Sequence, residues 1–96
     1  MGIDDLLKGK REEVLSIARK HGVSRVRIIG SVARNEATEE SDVDLLIDVE
    51  GPTTPWFPGG LVADLEDLLG RRVDVVEPEA LREDLRSQVL KEAISL

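Results

Sequence analysis

Apolar positions along the chain recur at two spacings. Ile3, Leu6 and Leu7, then Val14, Leu15, Ile17 and Ala18, repeat every three to four residues and predict a helix over 3–21, closed by Gly22 and weakened in its middle by Gly9. Arg25-Val26-Arg27-Ile28-Ile29 is short and β-branched and reads as a strand, broken by Gly30-Ser31. Val32 to Ala37 then suits a short helix. Asp42 to Val49 alternates strictly: Val43, Leu45, Ile47 and Val49 on one face, Asp42, Asp44, Leu46 and Asp48 on the other. A loop over 51–60 holds three of the four prolines and both aromatic residues, Trp56 and Phe57. A second helical stripe follows (Leu61, Val62, Leu65, Leu68, Leu69) and stops at Gly70. Arg71 to Glu77 is a third strand with Val73, Val75 and Val76 as its apolar members. Pro78 starts a last helix carried by Leu81, Leu85, Val89, Leu90, Ala93 and Ile94. The expected fold class is a small α/β (α+β) domain, 1–96, with a β-sheet of three or more strands flanked by helices.

Composition narrows the classes. With 41% hydrophobic and 34% charged residues the balance is that of a globular domain. The absence of cysteine excludes disulfides, thiolate metal sites and cysteine nucleophiles. No apolar run reaches membrane-spanning length, and the first five residues do not resemble a signal peptide, so a cytoplasmic location is expected. A net charge of -7 argues against stable nucleic-acid binding, which uses a basic face. It suits a basic protein partner or simply a solvated acidic surface.

The candidate chemistry lies between residues 30 and 74. Asp42 and Asp44 share one face of a strand, with Cβ atoms roughly 6.5–7 Å apart. That spacing suits two carboxylates sharing hard divalent cations. Alone the pair is weak, because a solvated acidic edge looks the same; Asp48, roughly 13 Å beyond Asp44, reads as surface or structural. Gly30 permits a tight turn and close approach to a phosphate, and Ser31 adds a hydroxyl donor; taken alone, the segment reads rather as an ordinary strand-to-helix turn with Ser31 as N-cap. The spacing joins the two elements. Gly-Ser-x10-Asp-x-Asp arises by chance about once in a few hundred chains of this length. Asp74, flanked by valines, becomes a third ligand if its strand pairs beside 42–49; otherwise it is an edge aspartate paired with Arg71 or Arg72. His21 reads as a helix-end residue.

On the strings Gly30-Ser31-Val32-Ala33-Arg34-Asn35 and Ser41-Asp42-Val43-Asp44-Leu45-Leu46-Ile47, the chain resembles the minimal nucleotidyltransferase (MNT) family of the DNA polymerase β-like superfamily. Asp74 stands where that family's third carboxylate is expected. Asn35 replaces a frequent glycine, and asparagine tolerates a left-handed conformation, so the turn is expected to survive. The resemblance covers essentially the whole chain. It implies a mixed-sheet nucleotidyltransferase core that uses ATP and two magnesium ions. It implies that Gly30, Ser31, Arg34 and Ser41 serve the nucleotide, with Arg34 divided between phosphates and local fold. It further implies that Asp42, Asp44 and Asp74 ligate metal, and that Asp74 helps deprotonate the acceptor.

Larger relatives carry a second domain for the acceptor, for which 96 residues leave no room. Small members resemble the antitoxin half of HEPN/MNT toxin–antitoxin pairs, which implies transfer of AMP from ATP to a tyrosine of a HEPN ribonuclease. A homodimer or hetero-oligomer is compatible with that resemblance. Two alternatives stand beside it. One is an antitoxin that neutralises its partner by binding alone, with the Trp56/Phe57 loop as contact patch or as local packing. The other is a small-molecule nucleotidyltransferase with a separate acceptor-binding subunit.

Overall fold

The computed structural model describes residues 2–96. Met1 and the side chains of Ile3 and Asp4 fall outside the described set, so the expected place of Ile3 on the first apolar stripe is not addressed. The elements run α1 (Ile3–Leu6), α2 (Arg11–Lys20), β1 (Val23–Ile29), α3 (Gly30–Ala33), β2 (Val43–Val49), α4 (Gly59–Leu69), β3 (Val73–Val76), a 3-10 turn (Pro78–Ala80), α5 (Glu83–Glu92) and β4 (Ile94–Ser95). The four strands form one sheet in the order β3-β2-β1-β4. Only the β2–β3 pair is parallel; β1 pairs antiparallel with both β2 and β4. No helix among the described residues is long and apolar enough to cross a membrane.

Several boundaries differ from the sequence reading, and the short helix expected over 32–37 runs instead over Gly30–Ala33. The helix expected over 3–21 is split, because Gly9 takes φ +72°, a left-handed conformation that ends a helical turn. The last helix stops at Glu92 instead of carrying Ile94, and it starts at Glu83, after Pro78 has opened a separate 3-10 turn. Ile94 pairs with Ile28, and Leu96 N–H donates to Val26 O at 3.1 Å. The backbone groups on the outer edge of β1 need partners, and a short strand supplies them where a longer helix could not. The expected strand over 71–77 is trimmed to 73–76, and Asp42 sits just before β2.

The core lies on the face of the sheet covered by α2 and α4. Val14 and Ala18 of α2 and Leu61 and Leu65 of α4 meet Val26, Ile28, Val43, Leu45, Ile47 and Val73. This is the odd-numbered face of β2, as the alternation requires. The even face behaves differently from a plain solvent face. Asp44 and Asp48 are half-buried, whereas Leu46 is wholly buried, flanked in register by Arg27 and Val76 where the 3-10 turn crosses β2. Arg27 reaches diagonally across the strands to Asp48, Nη2 to Oδ1 3.3 Å. Asp48 is thus a structural ion-pair partner.

His21 is buried, 5% exposed, at the C-terminal end of α2. Its Nε2 donates to Asp64 of α4 at 2.7 Å, and its Nδ1 hydrogen-bonds the Thr54 hydroxyl. The missing side chain of Gly60 leaves room for the ring: a Cβ there would lie 3.1 Å from Cε1. One imidazole therefore ties α2, α4 and the proline-rich loop together. The hydrogen bond from His21 holds the Asp64 carboxyl below its ordinary value of 3.8. Removing two hydrogen bonds and the ring in His21→Ala is expected to cost about 2 kcal/mol, roughly 8–16 °C in melting midpoint for a domain this size. Asp64→Asn is expected to melt lower than the unsubstituted chain at neutral pH. A depressed carboxyl contributes stability above its unfolded pKa and loses it as pH falls through the folded one. The gap between the two proteins should therefore close below 3.8. Thermal melts followed by circular dichroism from pH 3 to 8 check both expectations.

Candidate active site

β1 delivers the chain into Gly30, which has φ +73° and opens the four-residue α3. The conformation disfavours a side chain, and the space excludes one. A Cβ on Gly30 would lie 2.6 Å from Asp44 Oδ2. The strand pairing explains this closeness, since Ile29 is the register partner of Asp44. The turn that could face a phosphate is therefore packed directly on the central carboxylate. Asn35 takes φ 59°, so it keeps the left-handed turn after α3 that a glycine would serve.

Ser31 is not the N-cap of α3. Ile29 holds that position without a side-chain hydrogen bond, and the Ser31 hydroxyl makes no hydrogen bond among the described residues. Arg34, at the end of α3, pairs with Glu36 and with Glu92 of α5, both at 3.4 Å. Ser41 is engaged locally: its Oγ accepts from Thr38 N–H at 2.9 Å, closing the loop before β2. Arg71 braces the same loop by donating to Thr38 O at 3.2 Å and Ser41 O at 3.3 Å. Neither Arg71 nor any other cation forms an ion pair with Asp74 among the described residues, so the edge-pair alternative for Asp74 is not what the fold adopts.

Asp74 stands in register with Asp44 on the parallel β2–β3 pair. Neighbouring strands lie ~4.8 Å apart, so the two carboxylates share one face at adjacent positions. Asp42 lies two residues before Asp44, just ahead of β2. The chemistry of Asp44 reports this crowding. Burial raises its pKa above the ordinary 3.8, the charges of Asp74 and Asp42 raise it further, and Arg34 partly opposes them. None of the three carboxylates has a cation within ion-pair distance among the described residues.

A cluster of carboxylates without a counter-cation fits a hard divalent ion, and oxygen-only donors suit magnesium. No group of three or more His, Cys, Asp or Glu among the described residues converges tightly enough to form a metal cage by itself. Magnesium is ordinarily held by one or two carboxylates completed by water and substrate phosphates, and an open carboxylate cluster beside a phosphate-facing turn matches that pattern. Next to the carboxylates lies a cleft of about 310 Å³ lined by Ile29, Asp44, Asp74, Val75 and Val76. Ile29, Val75 and Arg71 are the parts of the site that the spacing of residues did not expose. Their contributions arise from strand pairing and loop contacts between segments 15 or more residues apart.

A family model described as a nucleotidyltransferase domain matches residues 9–96. Protein adenylyltransferase MntA of Thermococcus cleftensis is 35% identical over 92 residues, 96% of this chain and 90% of that protein. A Methanocaldococcus jannaschii protein under the provisional name protein adenylyltransferase MJ0435 is 35% identical over 86 residues, 90% of this chain and 92% of its own. A solved structure provisionally described as a minimal nucleotidyltransferase superposes with a TM-score of 0.83 at 49% identity, covering 100% of this chain and 97% of that one. A chain from a toxin–antitoxin complex crystallised with AMP-PNP superposes with a TM-score of 0.72 over 90% of this chain and 71% of that one, a likeness of fold at 17% identity. The chain belongs to the nucleotidyltransferase family and is a nucleotidyltransferase enzyme.

Proposed function

We propose that the protein is a magnesium-dependent protein adenylyltransferase of the cytoplasm. In this reading it transfers AMP from ATP to a tyrosine of a HEPN-family ribonuclease toxin and acts as that toxin's antitoxin. The observation that carries the reading is Asp44 and Asp74 in register on paired strands, with Asp42 just before β2 and Gly30 packed on Asp44. Support comes from relatives that bear the name protein adenylyltransferase and match over nearly their whole length. The fold likeness to a chain of a toxin–antitoxin complex points the same way.

In this reading the backbone at Gly30 and the Ser31 hydroxyl bind the β- and γ-phosphates. Arg34 adds positive charge beside them, and Ser41 acts through the loop that presents Asp42. Asp42, Asp44 and Asp74 would hold magnesium. Bound there, magnesium supplies positive charge that offsets the charge developing on the phosphate oxygens. The acceptor hydroxyl oxygen forms a bond to the α-phosphorus while the bond from that phosphorus to the bridging α–β oxygen breaks. The hydroxyl proton passes to Asp74, and pyrophosphate leaves with the electron pair of the broken bond.

One observation favours neutralisation by binding. Trp56 is 91% exposed on the proline-rich loop, whereas Phe57 packs against the core. An exposed tryptophan is a frequent interface anchor.

With α-labelled ATP, magnesium and the partner, Asp42→Asn and Asp44→Asn are each expected to lower labelling at least about a hundredfold. Full toxin protection by either unlabelling variant would favour binding alone, and no labelling by the unsubstituted chain would overturn the transfer reading. Loss of fold is separable. Burial and like charges penalise the ionised Asp44, a penalty absent below 3.8 that grows as pH rises through the raised folded pKa. Asp44→Asn should therefore melt no lower than the unsubstituted chain without divalent cations. Magnesium with ATP should raise the melting midpoint of the unsubstituted chain only. Gly30→Ala is expected to destabilise by about 1–3 kcal/mol, from its positive φ and the Asp44 contact, and to lose transfer with Asp44 displaced. Denaturant titration beside the labelling assay measures both.

A further inference from the structure

The strand that carries Asp74 is an edge of the sheet, and its ladder uses only alternate residues. Val43 N–H donates to Arg72 O at 2.8 Å. The parallel register Val43↔Val73 to Leu46↔Val76 continues that pattern, so Arg72, Asp74 and Val76 turn their backbone groups toward β2. Val73 and Val75 turn theirs outward. The outward N–H of Val73 is taken by Glu66 Oε2 at 3.0 Å. Val75 N–H and C=O have no backbone partner beyond the sheet among the described residues. The edge is blunted at one end and open beside the carboxylates.

Two hollows flank this open stretch. The cleft of about 310 Å³ with Asp44 and Asp74 lies on the even face. A second hollow of about 250 Å³ is lined by Ile47, Phe57, Pro58 and Glu77. It shares Val75 and Val76 with the first, while Ile47 belongs to the odd face. The hollows therefore sit on opposite faces of the sheet, joined across its rim by β3.

We propose that the acceptor binds as an extended polypeptide strand along the open edge of β3. Its hydroxyl-bearing side chain enters the Asp44/Asp74 cleft, and an adjacent apolar side chain enters the Phe57/Pro58 hollow. An added strand matches both features at once. Its backbone pairs with Val75, and its successive side chains point to opposite faces. A nucleoside over the carboxylates reaches the even-face cleft and leaves the backbone edge and the second hollow unused. The proposal rests on the reading that the acceptor is a polypeptide, and it adds where and in what conformation that polypeptide lies.

The test uses the full chain, labelled with ¹⁵N, with magnesium and α,β-methylene-ATP, whose α–β link resists transfer. Two synthetic peptides of equal composition are compared, Lys-Val-Tyr-Val-Lys and Val-Lys-Tyr-Lys-Val. The first, with apolar neighbours beside the tyrosine, is expected to bind at least about tenfold more tightly. It should shift the amide signals of Val75 and Glu77 and slow Val75 amide exchange about tenfold or more. N-methylation of its central amides should abolish these effects. Equal affinities, no binding by either peptide, or shifts that leave Val75 untouched would overturn the proposal. So would the nucleotide analogue alone protecting Val75. A parallel labelling assay with α-labelled ATP separates the two levels. A chain that labels a polypeptide while Val75 stays unperturbed refutes the edge-strand mode alone, whereas a chain that labels only small hydroxyl compounds refutes the polypeptide reading itself.

Discussion

Parallel pairing of β2 with β3 in one particular register sets Asp44 beside Asp74, and the site depends on it. A slip of one residue would send Asp74 to the core face and bring a valine beside Asp44. The register is held from the other side of the sheet. Leu61 and Leu65 of α4, the helix connecting the two strands, are buried against Val43, Leu45, Ile47 and Val73. Core packing on the odd face thus aligns the carboxylates on the even face. Burying and crowding Asp44 opposes folding, and the apolar core opposite has to offset it.

The same division explains the turn at Gly30. The strand before it is committed by Val26 and Ile28 to the core, so its end arrives at Asp44 with no freedom to shift. Only a residue without a side chain fits between the backbone and that carboxylate. Arg71 and Ser41 then shape the loop that carries Asp42 into β2. Supporting contacts of this kind matter because a metal and phosphate site tolerates little displacement of its ligands.

The edges of the sheet are treated differently. The outer side of β1 is covered by β4, a two-residue strand at Ile94–Ser95. On the opposite side β3 is only partly protected, by Glu66 at Val73. A short edge strand next to a reaction centre is a place where an extended partner can pair without disturbing the core.

Local patterning was enough to find β2, α4 and the spacing from Gly30-Ser31 to Asp42 and Asp44. Those features depend on period-two and period-3.6 burial and on turn chemistry within about 15 residues. The left-handed Asn35 was legible for the same reason, since φ preference belongs to the residue. Asp74 was legible only as a conditional partner, because its neighbour is set by pairing between strands 30 residues apart. Ile94 looked helical because its spacing continues that of Val89 and Leu90, and the unpaired edge of β1 overrode that spacing. His21 looked like a plain helix end, and its bonds to Thr54 and Asp64 exist only once α2, the proline-rich loop and α4 meet. The amino-acid sequence by itself determined which residues bear charge, turn and period. The tertiary structure decided which of them stand together, because register, edge pairing and loop bracing are contacts between distant segments that no local spacing encodes.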